Sequence, residues 1–278
     1  MLAFVFLALA PAHALSIPVY ELGGGGPAAS SAGQPLLVPG RPPASRFDGG
    51  QIAGASSIHV ARSKAAGTRT NGKILGVDHY GSGYSCSGTA LNTPSRSIVI
   101  TAGHCVMERG ARFKRIIFVP AYNHGRRPFG SFEAEAIYVM PPWRRSENPD
   151  FDVAALKVKP TSAGALTDVV GGRGYATSKS RRSDFEIFGY PAAALRGEEL
   201  RSCRATGLGM DFLTNIFFGP PTVPAACDMA AGSSGGSWII KGEYVNGVTS
   251  YSYAKRSTAR LYSPYFGPSI ANFLRELP

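Results

Sequence analysis

Short apolar segments separated by turn residues recur along most of this chain, and no long helical pattern interrupts them until the C-terminal end. Residues 73–77, 85–91, 97–101, 115–120, 133–139 and 153–158 form a first set. After a linking region, 160–183, come 185–189, 200–207, 237–241, 244–251 and 260–262. Each has the length and the β-branched or aromatic content of a strand, and turn residues bound it. Two sets of about six short strands predict an all-β fold of two six-stranded antiparallel β-barrels, over about residues 72–160 and 184–262. The 34 glycines, 21 prolines and 17% charged residues suit such turn-rich structure. Ile270, Phe273, Leu274 and Leu277 fall at i, i+3, i+4 and i+7 after Pro268. The chain is therefore expected to end in an amphipathic C-terminal α-helix packed on a barrel.

The N-terminal part reads differently. Residues 1–10 are apolar, and Ala12-His13-Ala14 offers a small-x-small cleavage site, so 1–14 is expected to be a secretory signal peptide. The run is too short to span a membrane, and no later stretch approaches 18 apolar residues. Residues 15–71 are rich in Gly, Pro and Ala with little apolar pattern, as in a pro-segment or linker. The folded domain is expected over 72–278.

Cys86, Cys105, Cys203 and Cys227 allow three pairings. They lack C-x-x-C spacing and only His104 lies near one, which argues against a zinc site. In an exported protein two disulfides are the natural reading. Pairing Cys86 with Cys105 and Cys203 with Cys227 closes two loops of about twenty residues, each worth roughly 3 kcal/mol on the chain-entropy account. The net charge of +11 falls after residue 50, in clusters such as Arg112-Lys114-Arg115, Arg126-Arg127, Arg144-Arg145 and Arg181-Arg182. None sits in a nucleic-acid motif. These are solvated basic loops, with attraction to anionic cell walls or acidic substrates as their functional alternative.

Three local settings carry chemistry. Thr101-Ala102-Gly103-His104-Cys105 follows an apolar strand and presents one imidazole, which titrates near neutral pH and can move a proton in both directions. Asp152 stands at the mouth of Val153-Ala154-Ala155-Leu156, where a carboxylate can be buried against imidazole. Asp150, two residues earlier, would share its face of a strand and is the alternative acid. Ser234 lies in Gly232-Ser233-Ser234-Gly235-Gly236-Ser237, where flanking glycines permit a sharp turn. The amides of Gly232 and Ser234 could then hold a developing oxyanion. Ser233 is followed by serine rather than glycine, so Ser234 is the candidate nucleophile. G-S-S-G-G also satisfies the nucleophile elbow of α/β-hydrolases, whose histidine follows the serine. No histidine follows Ser234 in this chain. A subtilisin-like order would need an acid before His104, and Asp48 and Asp78 lie in unconvincing settings.

T-A-G-H-C, D-V-A-A-L and G-S-S-G-G-S, in the order His, Asp, Ser, resemble the chymotrypsin-like serine peptidases over about residues 72–275, closest to the secreted bacterial branch with the glutamyl endopeptidases. Cys86-Ser87-Gly88-Thr89 resembles the partner of that family's histidine-loop disulfide. Cys227-Asp228 and Gly247-Val248-Thr249-Ser250-Tyr251 resemble its substrate-binding walls. The resemblance implies a secreted, monomeric endopeptidase acting on polypeptides without cofactor or metal, with His104, Asp152 and Ser234 catalytic. It implies substrate binding by Asp228, Thr249, Ser250 and Tyr251. By count Asp228 matches the pocket-floor acid that selects Arg or Lys, whereas Thr249 stands where glutamate-selective members tend to have histidine. The sequence departs from many animal members in having Ser233 where an aspartate receives a freshly cut N-terminus, although Ile74-Leu75-Gly76 loosely resembles that cut site. Ser237 replaces the usual proline. The alternative of another class is a non-catalytic basic adhesion module on the same fold, which has no physical need for all three groups.

Overall fold

The computed structural model describes residues 19–21, 58–59, 66–192, 196–217, 219–229, 231–253 and 259–278. The expected signal peptide lies outside these residues, as does most of the expected pro-segment. The first barrel is built from β1 (Asn71–Val77), β2 (Gly83–Leu91), β3 (Ile98–Thr101), β4 (Arg115–Pro120), β5 (Phe132–Val139) and β6 (Ala154–Val158). Every neighbouring pair is antiparallel, in the order β5-β6-β3-β2-β1-β4, and β4 pairs back to β5 to close the circuit. Closure removes the sheet edges that a six-stranded ribbon would otherwise expose. All four residues of β3 are buried, which explains its unbroken apolar run.

The second half comprises β7 (Asp184–Gly189), β8 (Arg201–Thr206), β9 (Val223–Ala226), β10 (Ser237–Ile240), β11 (Tyr244–Val248) and β12 (Arg260–Ser263). Continuous antiparallel ladders join β8, β7, β10 and β11, and another joins β9 to β12. Single bridges, Gly207 to Ala225 and Tyr251 to Tyr262, link that ribbon to the ends of β8 and β11. The strands thus follow one another in ring order, but two of the joints are bridges rather than ladders. Strand β9 is absent from the sequence expectation. Pro224 inside it, and Pro220-Pro221 just before it, demote the segment on any propensity reading.

Three short additions decorate the two halves. Val19–Glu21 pairs antiparallel with β5, Ile58–His59 with β8, and Gly174–Tyr175 runs parallel to β11. The C-terminal helix spans Pro268–Arg275 and buries Ile270, Phe273 and Leu274 in the larger core, which also holds the first barrel's interior. A smaller core gathers Phe185, Ile187, Trp238 and Leu261. Each core contains one of the two disulfides, Cys86–Cys105 and Cys203–Cys227. At the seam, Asn71 Oδ1 accepts from Thr89 Oγ1 at 2.7 Å and from Ser237 Oγ at 2.8 Å. One side-chain carbonyl therefore ties β2 to β10 across the two halves.

Candidate active site

The turn after β3 is where the first barrel presents chemistry. Gly103–Cys105 forms a single 3-10 turn, and the Cys86–Cys105 bridge fastens it to β2. A side chain on Gly103 would collide with the Trp143 indole, 2.6 Å from its Cδ1. The indole Nε1–H is itself donated to Met107 O at 3.1 Å. Trp143 thus packs against the turn, its ring centre 6.2 Å from that of His104 and the two rings tilted at 59°.

Asp152 reaches the same turn from the opposite strand. Its Oδ1 accepts the His104 main-chain N–H at 2.8 Å and its Oδ2 lies 2.7 Å from His104 Nδ1. Ser250 Oγ donates to Oδ2 at 2.5 Å. The carboxylate is 1% exposed, so these donors replace the water it has lost, and charge-assisted bonds of this kind are the strong ones. They also hold the ring in the tautomer with the proton on Nδ1, leaving Nε2 as the basic nitrogen. His104 keeps an edge to solvent, its side chain 18% exposed.

Asp150 goes elsewhere. Pro149–Phe151 is a 3-10 turn capped by the Asn148 side chain, so Asp150 and Asp152 do not share a strand face as their spacing suggests. Asp150 is fully buried, and an added Cβ on Gly219 would strike its carboxyl. Burial pushes this carboxyl up from 3.8 to about 6, with the Asp211 charge adding to the shift and Thr214, Arg181 and the Gly219 main chain opposing it. The folded chain therefore binds this proton more tightly than the unfolded chain, and the stabilisation is complete below about pH 4 and lost as pH rises through 6. Asp150→Asn is expected to leave the melting temperature at pH 4 nearly unchanged and to raise it by several degrees at pH 8. The gain there is at most about 3 kcal/mol. Thermal unfolding across that range checks it, and a difference that does not vary with pH would be the contrary result.

The Ser234 loop comes from the second half and lies against the same turn. Gly232 has φ +91° and Gly235 φ +76°, so the glycines supply a left-handed path on both sides of Ser234. Ser87 on β2 anchors the loop twice and ties it to Tyr190. Its N–H donates to Ser234 O at 2.7 Å, its Oγ donates to Gly232 O at 2.8 Å, and the same Oγ accepts Tyr190 N–H at 2.9 Å. Gly235 N–H donates to Thr249 O at 2.7 Å. A Cβ on Gly235 would overlap Thr101 Oγ1 and lie 2.5 Å from Ser87 O and 2.9 Å from Ala102 N. The backbone beside Ser234 is therefore pressed onto the two residues that open the His104 turn. Gly235→Ala combines this overlap with a strained φ and is expected to cost about 4 kcal/mol or more, read as a lowered denaturation midpoint or loss of soluble protein. Gly81→Ala is the control: φ +92° with open space around it, and about 1 kcal/mol expected.

The remaining sequence candidates are placed as follows. Thr249 is buried and accepts Trp238 Nε1–H at 3.0 Å. Tyr251 stacks on Tyr262, and its hydroxyl meets Asp211 Oδ2 at 2.9 Å and Thr222 Oγ1 at 2.7 Å. With Ser250 on Asp152, all three side chains point inward, and the stretch can meet a ligand only through its main chain. Asp228 is exposed. Ile74, in the segment that loosely resembles an activation cut site, is fully buried in mid-strand between Cys86 and Phe118, so cleavage before it would tear β1 from both neighbours. Sequence reading missed Ser87 and Trp143 as organisers of the site. Ser87 stood in a motif noted only for its cysteine, and nothing local marks Trp143. Among the described residues the only cluster with metal-ligating side chains is Cys86, His104 and Cys105, whose sulfurs are joined to each other. No helix of the described residues is long and apolar enough to cross a membrane.

Residues 64–272 match the sequence profile of the family described as Trypsin. No curated protein matches the chain. Among solved structures, the protease Anisep from Arthrobacter nicotinovorans is 37% identical, with TM-score 0.69, over 74% of this chain and 94% of that one. The thermostable serine protease AL20 from an extremophilic microorganism is 29% identical, with TM-score 0.68, over 75% of this chain and 96% of that one. A Glu endopeptidase at 18% identity and TM-score 0.67, over 81% of this chain and 97% of that one, shares the fold.

Proposed function

Since the chain belongs to the trypsin family and is a serine endopeptidase, we propose that it cleaves polypeptides through Ser234, His104 and Asp152. The observation that carries this reading is the doubly hydrogen-bonded His104–Asp152 pair, with the Ser234 loop pressed onto the turn that presents His104. Ser234 Oγ attacks the substrate carbonyl carbon while His104 Nε2 takes its proton. The Gly232 and Ser234 amides stabilise the oxyanion, and collapse of the intermediate breaks the C–N bond as His104 protonates the leaving amine. Water then repeats the sequence on the acyl-enzyme. Asp152 keeps His104 oriented and offsets its positive charge. No metal or cofactor enters this scheme.

Substrate backbone pairs as an added strand with the main chain of residues 250–252. Asp228 is exposed, so solvent weakens any contact it makes with a basic side chain before the scissile bond. The two disulfides suit an oxidising compartment, which supports export. A peptide library digested by the purified chain tests both points of substrate choice. If Asp228 sets specificity, Arg and Lys are enriched before the cut and Asp228→Ser removes that enrichment. Cleavage that is indifferent to a serine-directed inhibitor would contradict the proposal.

A further inference from the structure

Ser87 and Thr249 hold the Ser234 loop directly, and the segment packed behind that loop is held in turn by Glu198. It sits in the loop between β7 and β8, in the second half, yet its partners come from the first barrel. Lys73 Nζ on β1 is 3.2 Å from its Oε1, the Tyr122 hydroxyl donates to its Oε2 at 2.8 Å, and its main-chain O accepts His124 N–H at 2.9 Å. Lys73 is almost fully covered, its side chain 6% exposed, and its ammonium lies 4.5 Å from the centre of the Tyr122 ring. Next to it, Glu199 Oε1 and His124 Nε2 are 2.7 Å apart.

From Glu198 the path to the oxyanion loop is short. Gly197 N–H donates to Pro191 O at 3.1 Å, and Ala192 N–H donates to Ala231 O at 2.5 Å. Gly232 lies so close to this segment that a Cβ there would be 2.5 Å from Tyr190 O. Lys73 is also the cross-strand partner of Ser87, whose hydroxyl holds both Tyr190 and Gly232. We infer that the Lys73–Glu198–Tyr122 clasp is a positioning device that sets the Gly232–Ser234 backbone in its oxyanion-binding shape. A lysine so covered cannot leave its carboxylate without stranding a charge, so the clasp has one arrangement of low energy. Burial lowers the Lys73 pKa and the Glu198 charge opposes that, which is the balance expected of an ammonium kept charged by one partner.

The role in catalysis rests on the Ser234 reading, whereas the ordering of the loop does not, and two readouts separate them. Glu198→Ala and the milder Tyr122→Phe are compared with wild type by hydrogen exchange and by peptide hydrolysis. Expected for Glu198→Ala is at least tenfold faster exchange in residues 230–236 as well as 190–200, with the β1–β6 barrel unchanged. Its kcat should fall about 10- to 100-fold with KM held within threefold, the pattern of an interaction made only in the transition state. Tyr122→Phe should shift both in the same direction by two- to fivefold. Unchanged exchange at 230–236 in Glu198→Ala would overturn the inference. So would unchanged kcat per titrated site in an active wild type. Faster exchange at 230–236 in Glu198→Ala, with a wild type that hydrolyses no peptide, would count against Ser234 and support the ordering of the loop by the clasp.

Discussion

Ser234→Ala is expected to lower kcat by about 10⁶-fold while leaving KM and the melting temperature close to wild type. The argument is local. On the proposed assignment, replacing the hydroxyl removes the atom that attacks the substrate carbon, yet the loop is held by main-chain groups, Ser87 N to Ser234 O and Gly235 N to Thr249 O, which alanine retains. Ser233→Ala is the informative companion, since that serine is fully buried and is expected to leave kcat within a few-fold. Steady-state kinetics on a cleavable peptide, with folded protein quantified separately, decide between the two serines. Activity lost through Ser233 and kept without the Ser234 hydroxyl would contradict the assignment.

The second large effect is at Asp152. An asparagine there presents one acceptor and one amide donor in place of two acceptors. It cannot receive the His104 amide, the His104 Nδ1–H and the Ser250 hydroxyl together, as the carboxylate does. Donation by the amide to Nδ1 would move the ring proton to Nε2 and leave no base facing the serine. Asp152→Asn is therefore expected to cost on the order of 10⁴ in kcat. Ser250→Ala, which removes one donor and leaves the tautomer intact, is expected to cost far less. Equal losses in the two variants would contradict the tautomer argument.

Much of the fold could be read from residues because its strands are short, apolar and punctuated, so the period and the turn signals agree at each of them. The exception is instructive. Strand β9 carries Pro224 and is held by its partner β12 and by the bridge from Gly207, which are long-range pairings that no local pattern reports. The meeting of His104 with Asp152 was legible because each ends or begins a buried strand, and the pairing of β3 with β6 brings Thr101 opposite Ala154. The inward turn of Thr249, Ser250 and Tyr251 was not legible. Their side chains answer to Trp238, Asp152, Asp211 and Thr222, which are near only after the second half has folded. Asp150 misled for a related reason, since strand alternation was assumed where Asn148-Pro149 starts a 3-10 turn.

The most direct test of the central claim is covalent trapping of the full chain by a serine-directed fluorophosphonate, before and after trimming of the residues that precede Asn71. Mass mapping of the adduct is expected to find it on Ser234, in the trimmed form at least, and to find none in Ser234→Ala or His104→Ala. A folded, disulfide-bonded sample that takes up no label in either form, or takes it up at Ser233, would contradict the account and favour a binding module built on a peptidase fold.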